Sequence, residues 1–188
     1  MIFNTKTGWG LPARVLHWAM AVLILFMLGL GAYMANFVDD IYQQFELFQL
    51  HKSWGFVAFA LAVLRILWRL INPAPAMPEG MSRPERVFAK AGHLALYVLI
   101  VVMPLSGWLM SSASTLQDTY GIKNMVFGLF ELPDPFVPGG EDLEKLFATI
   151  HFLSAIAMTG LIVLHAAAAL RHQLVQRDGL LRRMIVGK

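Results

Sequence analysis

Four long apolar stretches run along the chain, separated by short segments rich in charged residues, proline and glycine. They cover residues 15–35, 50–71, 91–112 and 147–170, so each has close to the ~20 residues that a helix needs to cross a bilayer. The pattern predicts an all-α protein, an integral membrane bundle of four helices. Because the connections are short, we expect residues 1–188 to form a single transmembrane domain with both termini on the same side.

The connections differ between the two sides of the predicted bundle. Those after the first and third helices mix aromatic residues, proline, glycine and acids, as in NFVDDIYQQFELFQ. The apolar part of that segment, IYQQFELF, predicts a short separate helix that lies in the membrane interface over the mouth of the bundle. The loop NPAPAMPEGMSRPER between the second and third helices is proline-rich and is expected to be extended.

Composition supports a membrane protein and excludes several kinds of site. Hydrophobic residues make up 57% of the chain and charged residues 14%, against roughly 25% charged residues in a soluble domain. The first apolar stretch is longer than the apolar core of a signal peptide, so we expect it to be retained. The absence of cysteine excludes disulfides, thiolate metal sites and iron–sulfur clusters. A redox centre would need histidine, methionine or an external cofactor.

The basic residues predict the orientation of the bundle. With the N-terminus inside the cell, twelve of the fifteen lysines and arginines fall on the inner side, in agreement with the positive-inside rule. The net charge of +3 then reflects topology and anionic lipid, with no nucleic-acid partner, and we expect a multi-pass protein of the bacterial inner membrane. The inner basic residues are Lys6, Arg14, Arg65, Arg69, Arg83, Arg86, Lys90, Arg171, Arg177, Arg182, Arg183 and Lys188. The outer side holds Lys52, Lys123 and Lys145 with nine acids: Asp39, Asp40, Glu46, Asp118, Glu131, Asp134, Glu141, Asp142 and Glu144.

Four histidines fall at two depths in this topology. His151 and His165 are 14 residues apart on the fourth helix, which separates them by about 21 Å along nearly the same face. His51 opens the second helix on the outer side, and His17 lies early in the first helix on the inner side. The depths therefore pair His51 with His151 and His17 with His165.

Two pairs of imidazoles inside a helix bundle are typical of two b-type haems, because haem iron takes an axial nitrogen on each face of a flat ring. Neutral imidazole also suits a low-dielectric interior. Any single histidine could instead bond a neighbouring helix, so the pairing by depth is what favours haem. Small residues leave room at both levels: Gly29, Gly31, Gly55 and Ala155 at the outer level, and residues 166–169 beside His165.

Other polar residues near the helices are candidates for supporting roles. Arg65 lies 14 residues after His51 and so near the inner pair, where an anionic haem propionate is a suitable partner. His93 is the rival to His17 as an inner ligand, and otherwise a candidate contact to a propionate or a quinone oxygen. Lys52 is either a local positive funnel for an anionic substrate or a plain interfacial lysine. His172 and the tail RRMIVGK are expected to be solvated anchors.

Four pieces of the chain, one from each predicted helix, carry a family resemblance: RVLHWAMAVLI, LHKSWGFVAFALAVLRILWRL, KAGHLALYVLIVVMPLSGWLMSS and IHFLSAIAMTGLIVLHAAAALRH. In these pieces the chain resembles the bacterial cytochrome b561 family, di-haem four-helix membrane proteins related to the cytochrome b subunits of nickel–iron hydrogenases and formate dehydrogenases. The 14-residue histidine spacing and the HAAAALRH ending are the specific parts. The resemblance implies iron ligands from helices one, two and four: His51 and His151 for the outer haem b, His17 and His165 for the inner one.

The resemblance also implies electron transfer between the two haems and exchange with membrane ubiquinone. One member type oxidises superoxide at the outer face, although the nine outer acids would repel that anion. The first hypothesis is thus a self-contained quinone-linked oxidoreductase, with superoxide as one candidate donor. An alternative is a membrane-anchor cytochrome b subunit that receives electrons from a partner dehydrogenase or hydrogenase. A haem-free transporter or scaffold with polar histidines is a third hypothesis, from a different class.

Overall fold

A computed structural model describes residues 1–78, 80–136 and 139–187 of the chain, without the side chains of residues 117 and 118. Lys188 and the side chain of Asp118, which enter the charge counts above, lie outside the described residues.

Four long helices make up most of the molecule. The first three are α1 (Leu11–Asn36), α2 (Ile41–Ile71) and α3 (Arg83–Ala113). A short helix, α4 (Thr115–Tyr120), and a hairpin of β1 (Met125–Val126) and β2 (Phe130–Glu131) precede the fourth long helix, α5 (Glu141–Arg171). A π-helical turn (His172–Gln176) and a last short helix, α6 (Leu180–Ile185), follow. The four long helices are each long and apolar enough to cross a membrane, which confirms the predicted helical membrane fold.

Side-chain caps mark the start of two of the long helices, α3 and α2. Ser82 and Glu85 form a capping box at the start of α3, with the two side chains and backbone amides bonded reciprocally. The Asp40 carboxylate accepts a hydrogen bond from the Gln43 amide at 2.8 Å and caps α2. Because of this cap, α2 is continuous from Ile41, and IYQQFELF forms its first turns. The prediction of a separate interfacial helix there is wrong.

The centre of the bundle is a small apolar core. Helix α3 packs against α2 and α5, and α2 packs against α1. Each long helix contributes one buried residue to the core: Met20, Ala62, Ile100 and Met158. Many large apolar side chains on the outer faces of these helices are exposed, including Val22 and Leu164, as expected for a surface that contacts lipid.

One end of the bundle, which we call the hairpin end, carries the α1–α2 connection, α4 and the β1–β2 hairpin. The hairpin turn holds Phe127 and Gly128 at positive φ, 49° and 70°, as a mirror-image turn requires. The Phe127 amide donates to Ser53 Oγ at 2.9 Å, and the Phe127 ring meets the edge of Trp54 at 5.3 Å between centroids. These contacts dock the hairpin onto α2.

The opposite end, which we call the termini end, is covered by the N-terminal segment, the α2–α3 loop and the C-terminal tail. Positive φ angles at Arg177 and Gly179 reverse the chain, so that α6 lies against the start of α1. There Trp18 Nε1 donates to the Met184 carbonyl at 3.1 Å, and the Arg14 guanidinium donates to the carbonyl of the next residue, Ile185. The tail is therefore docked on α1, which the prediction of a solvated anchor did not include, although Ile185 and Val186 remain about half exposed.

His172 is also placed differently from the prediction. Its side chain is buried, with 7% of its surface exposed, and its Nδ1 lies 2.5 Å from Asp178 Oδ2. The reversal after the π-helical turn brings Asp178 back over the imidazole. His172 holds the tail in place and is not a solvated anchor.

Candidate functional site

The first candidate site, at the hairpin end, is formed by His51 on α2 and His151 on α5. Their ring centroids are 6.2 Å apart and their planes are nearly perpendicular, at 80°. Both side chains are half-buried inside the bundle. The structure thus brings together the two outer histidines that depth alone paired.

Two glycines leave space around this pair. A β-carbon on Gly31 of α1 would lie 3.3 Å from His51 Cε1, and one on Gly107 of α3 would lie 3.0 Å from His151 Cε1. Gly31 was predicted at this depth, but Gly29 faces open space and Gly55 meets only the Met27 side chain, at 3.8 Å. Gly107 was not predicted from the sequence, because it lies on α3, which carries neither histidine of this pair.

The orientation of the His151 ring is set by a backbone acceptor. Its Nδ1 lies 2.8 Å from the carbonyl oxygen of Met103, and Ser106 Oγ is 3.4 Å away. Because a carbonyl only accepts, His151 Nδ1 carries the proton and donates it, which leaves the Nε2 lone pair free. His51 Nδ1 is buried and has no hydrogen-bond partner among the described residues.

The second candidate site, at the termini end, is formed by His17 on α1 and His165 on α5. The ring centroids are 6.3 Å apart, with an interplanar angle of 62°. His93 on α3 reaches the same place, and its ring centroid lies 5.4 Å from that of His165. Three imidazoles therefore meet at this end, and two at the other.

Arg65 is the charged group closest to the termini-end pair. Its Nη2 lies 3.2 Å from His17 Nδ1, and its guanidinium carbon lies 5.6 Å from the centre of the Tyr97 ring. Arg65 and Tyr97 also border a cavity at the end of α2, which Trp68, Arg69 and Asn72 line as well. Trp68 Nε1 and Asn72 Nδ2 are buried there without a hydrogen-bond partner among the described residues. The cavity is therefore rich in unused donors.

Lys52 is not directed at the His51 ring. Its Nζ lies 3.5 Å from the carbonyl oxygen of Lys123, and Lys123 in turn pairs with Glu131 at 2.6 Å. The hydrogen bond and charge of Glu131 raise the pKa of Lys123. Both lysines contact residues in or next to the hairpin. This favours Lys52 as an interfacial lysine over Lys52 as a positive funnel for an anionic substrate.

The spacing of both histidine pairs fits one metal ion held between two imidazoles. An imidazole nitrogen binds a metal ion at about 2.0 Å and lies about 1.1 Å from the centre of its own ring. Two rings on opposite sides of one ion then have centres roughly 6 Å apart, close to the 6.2 and 6.3 Å found here. At 5.4 Å, His93 is too close to His165 for that arrangement and fits a neighbouring position better. Haem with an imidazole on each face therefore fits both pairs.

Comparison with known proteins agrees with this geometry. A family model described as prokaryotic cytochrome b561 matches residues 8–187. Cytochrome b561 homolog 2 of Escherichia coli is 34% identical over 184 residues, covering 97% of this chain and 93% of the relative. The probable superoxide oxidase CybB of Yersinia pestis is 28% identical over 177 residues, covering 92% and 93%. Cytochrome b562 of Cereibacter sphaeroides is 29% identical over 174 residues, covering 90% of each chain.

These matches confirm the family predicted from the four sequence pieces. They cover almost the whole length of the chain and of each relative described above. The chain belongs to the prokaryotic cytochrome b561 family, membrane electron-transfer cytochromes that bind haem b.

Proposed function

We propose that this chain is a di-haem cytochrome that carries electrons between its hairpin end and its termini end and exchanges them with membrane quinone. His51 and His151 would hold one haem b, and His17 and His165 the other. The observation that carries the proposal is the pair of facing imidazoles at each end, with centroids 6.2 and 6.3 Å apart. When bound, each haem iron takes up and releases one electron.

The residues around the hairpin-end pair prepare the ligands. His151 Nδ1–H donates a hydrogen bond to the Met103 carbonyl, which keeps Nε2 available for iron. Gly31 and Gly107 keep the flanks of the two rings clear of side chains. This preparation supports a haem-ligand role better than a structural one, because a structural histidine has no need for a glycine beside its ring.

The residues between the two pairs keep water out of the path. Met20, Ala62, Ile100 and Met158 form an apolar core, and Met158 lies midway between His151 and His165 along α5. The helix rise separates these two histidines by about 21 Å, which sets the distance between the two sites. Ions and water have no polar partners in such a core, so only electrons are expected to cross it.

The termini end carries hydrogen-bond donors suited to exchange with quinone. Trp68 Nε1 and Asn72 Nδ2 suit the carbonyl oxygens of a quinone, and Arg65 suits either such an oxygen or a haem propionate. The cavity that they line holds only about 20 Å³, so these side chains would have to move apart for a quinone to reach them. We assign His93 to the same role, next to the iron ligand His165. By the positive-inside rule this end faces the cytoplasm, and the membrane is the bacterial inner membrane.

The electron donor at the hairpin end is a separate question. The relative from Yersinia pestis is named a probable superoxide oxidase, which makes superoxide the first donor to test. A partner dehydrogenase or hydrogenase is the other candidate.

A spectrum of the purified protein tests the proposal. We expect a reducible b-type signal and about two haems per chain. His51→Ala and His165→Ala should each remove one haem, and a different one, because each breaks a different pair. Lys145→Gln serves as the control, since it changes an exposed residue outside both pairs and should retain both haems. A haem-free protein, or loss of the same haem in both alanine variants, would contradict the proposal.

A further inference from the structure

The two histidine pairs differ in the group that contacts Nδ1 of one histidine in each pair. His151 Nδ1 meets the Met103 carbonyl oxygen at 2.8 Å, a neutral acceptor whose negative end points at the ring. His17 Nδ1 accepts from the Arg65 guanidinium at 3.2 Å, a cationic group that has donors only. The hairpin-end ligand therefore faces a negative dipole, and the termini-end ligand faces a full positive charge.

Among the residues that the structure describes, no carboxylate lies beside Arg65. The ion pairs among the described residues join Lys123 to Glu131, Lys145 to Glu141, Arg171 to Glu85 and His172 to Asp178, and none involves Arg65. Arg69, which lines the same cavity one helical turn further along α2, is not in an ion pair of that set either. Arg65 is half-buried and lies over the Tyr97 ring, so water screens its charge only in part.

A fixed positive charge favours the addition of an electron nearby, because the reduced site carries one more negative charge than the oxidised site. The carbonyl behind His151 acts in the opposite direction. By accepting a hydrogen bond from the ring N–H it makes the imidazole a stronger electron donor, which stabilises the more positive, oxidised state of the site. Both differences lower the energy of an electron at the termini end relative to the hairpin end.

We propose that Arg65 makes the haem held by His17 and His165 the easier of the two to reduce, and so directs electrons from the hairpin end to the termini end. The inference rests on the proposed two-haem function. In this role Arg65 supplies a positive charge near the haem and does not itself exchange electrons. A guanidinium only donates, so binding of iron at His17 Nε2, with the ring proton on Nδ1, would turn Arg65 from the ring toward a propionate. The sign is unchanged, because removal of Arg65 takes away a positive charge in either position.

The order of the two midpoint potentials, with Arg65 unchanged, provides the first test. Midpoint potentials are measured by redox titration in His51→Ala, which should retain only the termini-end haem, and in His165→Ala, which should retain only the hairpin-end haem. We expect the higher potential in His51→Ala. The opposite order, with one haem bound in each variant, would overturn the inference and leave the two-haem proposal intact. Absence of haem in both variants and in the unmodified chain would instead overturn the proposed function.

Substitution of Arg65 provides the second test. In the His51→Ala background, Arg65→Gln should make reduction of the remaining haem about tenfold less favourable, which for a one-electron couple is about 59 mV. Arg65→Lys keeps the charge and should retain most of the potential. In the His165→Ala background, Arg65→Gln should leave the potential unchanged. Lys145→Gln, which removes an exposed charge from the other end, is the control for a change of net charge.

An unchanged potential in Arg65→Gln with haem content preserved would overturn the inference. An equal shift in the midpoint potentials of both haems would also overturn the inference, because it would show that the charge acts generally and not locally. If Arg65→Gln loses the haem, the comparison of the two single-histidine variants still decides the order of the potentials.

Discussion

Gly107 lies where α3 passes closest to the His151 ring. The β-carbon of any other residue there would be 3.0 Å from His151 Cε1, closer than carbon atoms normally approach. The ring cannot move away freely, because its Nδ1 is bonded to the Met103 carbonyl on the same helix, α3. Helix α3 therefore shapes the hairpin-end site although it supplies no ligand to it.

A larger side chain at Gly107 is expected to displace His151. Gly107→Val should reduce the occupancy of the hairpin-end haem at least about tenfold, because a displacement of the ligand by a fraction of an ångström strains or breaks its bond to iron. Gly29→Val is the matched control, because Gly29 lies at a similar depth with open space around its α-carbon. The haem-to-protein ratio of the two purified variants checks this. Equal haem content in both would show that the clearance at Gly107 is not needed.

The position of the C-terminal tail depends on the pair formed by His172 and Asp178. Burial acts to raise the pKa of Asp178, but hydrogen bonds from the Leu180 amide and the His172 ring outweigh it and hold the pKa below its usual value. Since the folded-state pKa is the lower one, the carboxylate stabilises the docked tail above its unfolded pKa of about 3.9. That stabilisation is lost as the pH falls through the lowered folded-state value.

Removal of this charge is expected to loosen α6. In Asp178→Asn, amide hydrogen exchange in Leu180–Ile185 should be about tenfold faster at pH 7, because a charge-assisted hydrogen bond contributes about 1.5–3 kcal/mol. The difference from the unmodified chain should shrink as the pH is lowered through the folded-state pKa of Asp178, where both carry a neutral side chain. Asp142→Asn, at the start of α5, should leave α6 unchanged. Unaltered exchange in Asp178→Asn would mean that other contacts hold the tail.

The molecule as a whole is electrically polarised along the bundle. Eight acids among the residues with described side chains and three lysines lie at the hairpin end, while most arginines lie at the termini end. The lysines of the hairpin end do not form a free positive patch, because Lys123 pairs with Glu131, Lys145 with Glu141, and Lys52 reaches a backbone carbonyl. An anion that approaches this end therefore meets a net negative field.

The rate at which superoxide reduces the protein should therefore depend on the salt concentration. We expect the initial rate of haem reduction by superoxide to rise about two- to threefold between ionic strengths of about 0.01 and 0.15 M, because the screening length falls from about 30 to about 8 Å. A neutral quinol is the control reductant, and its rate should not change with salt. A superoxide rate that falls with salt would point to a local positive funnel at Lys52. The absence of any reduction by superoxide would favour a partner protein as the donor.

Much of the candidate site was predictable from the chain alone. The depths of His17, His51, His151 and His165 follow from helix length and charge asymmetry, and the structure places the same residues together in the same pairs. The position of Arg65 near the inner pair followed from its helical spacing to His51. The contacts of Gly107, Met103 and Trp68 were not predictable, because each depends on how two helices are rotated and tilted against one another.

The number of spans, their apolar length, the level of each histidine and the family could be predicted from the chain. These properties are local, because they depend on the residues of one helix and on how that helix meets lipid. The start of α2 at Ile41, the burial of His172 against Asp178, and the contact of Arg65 with His17 came from the folded arrangement. These features join residues up to 48 positions apart, and a periodic pattern carries no information about the angle at which separate helices meet.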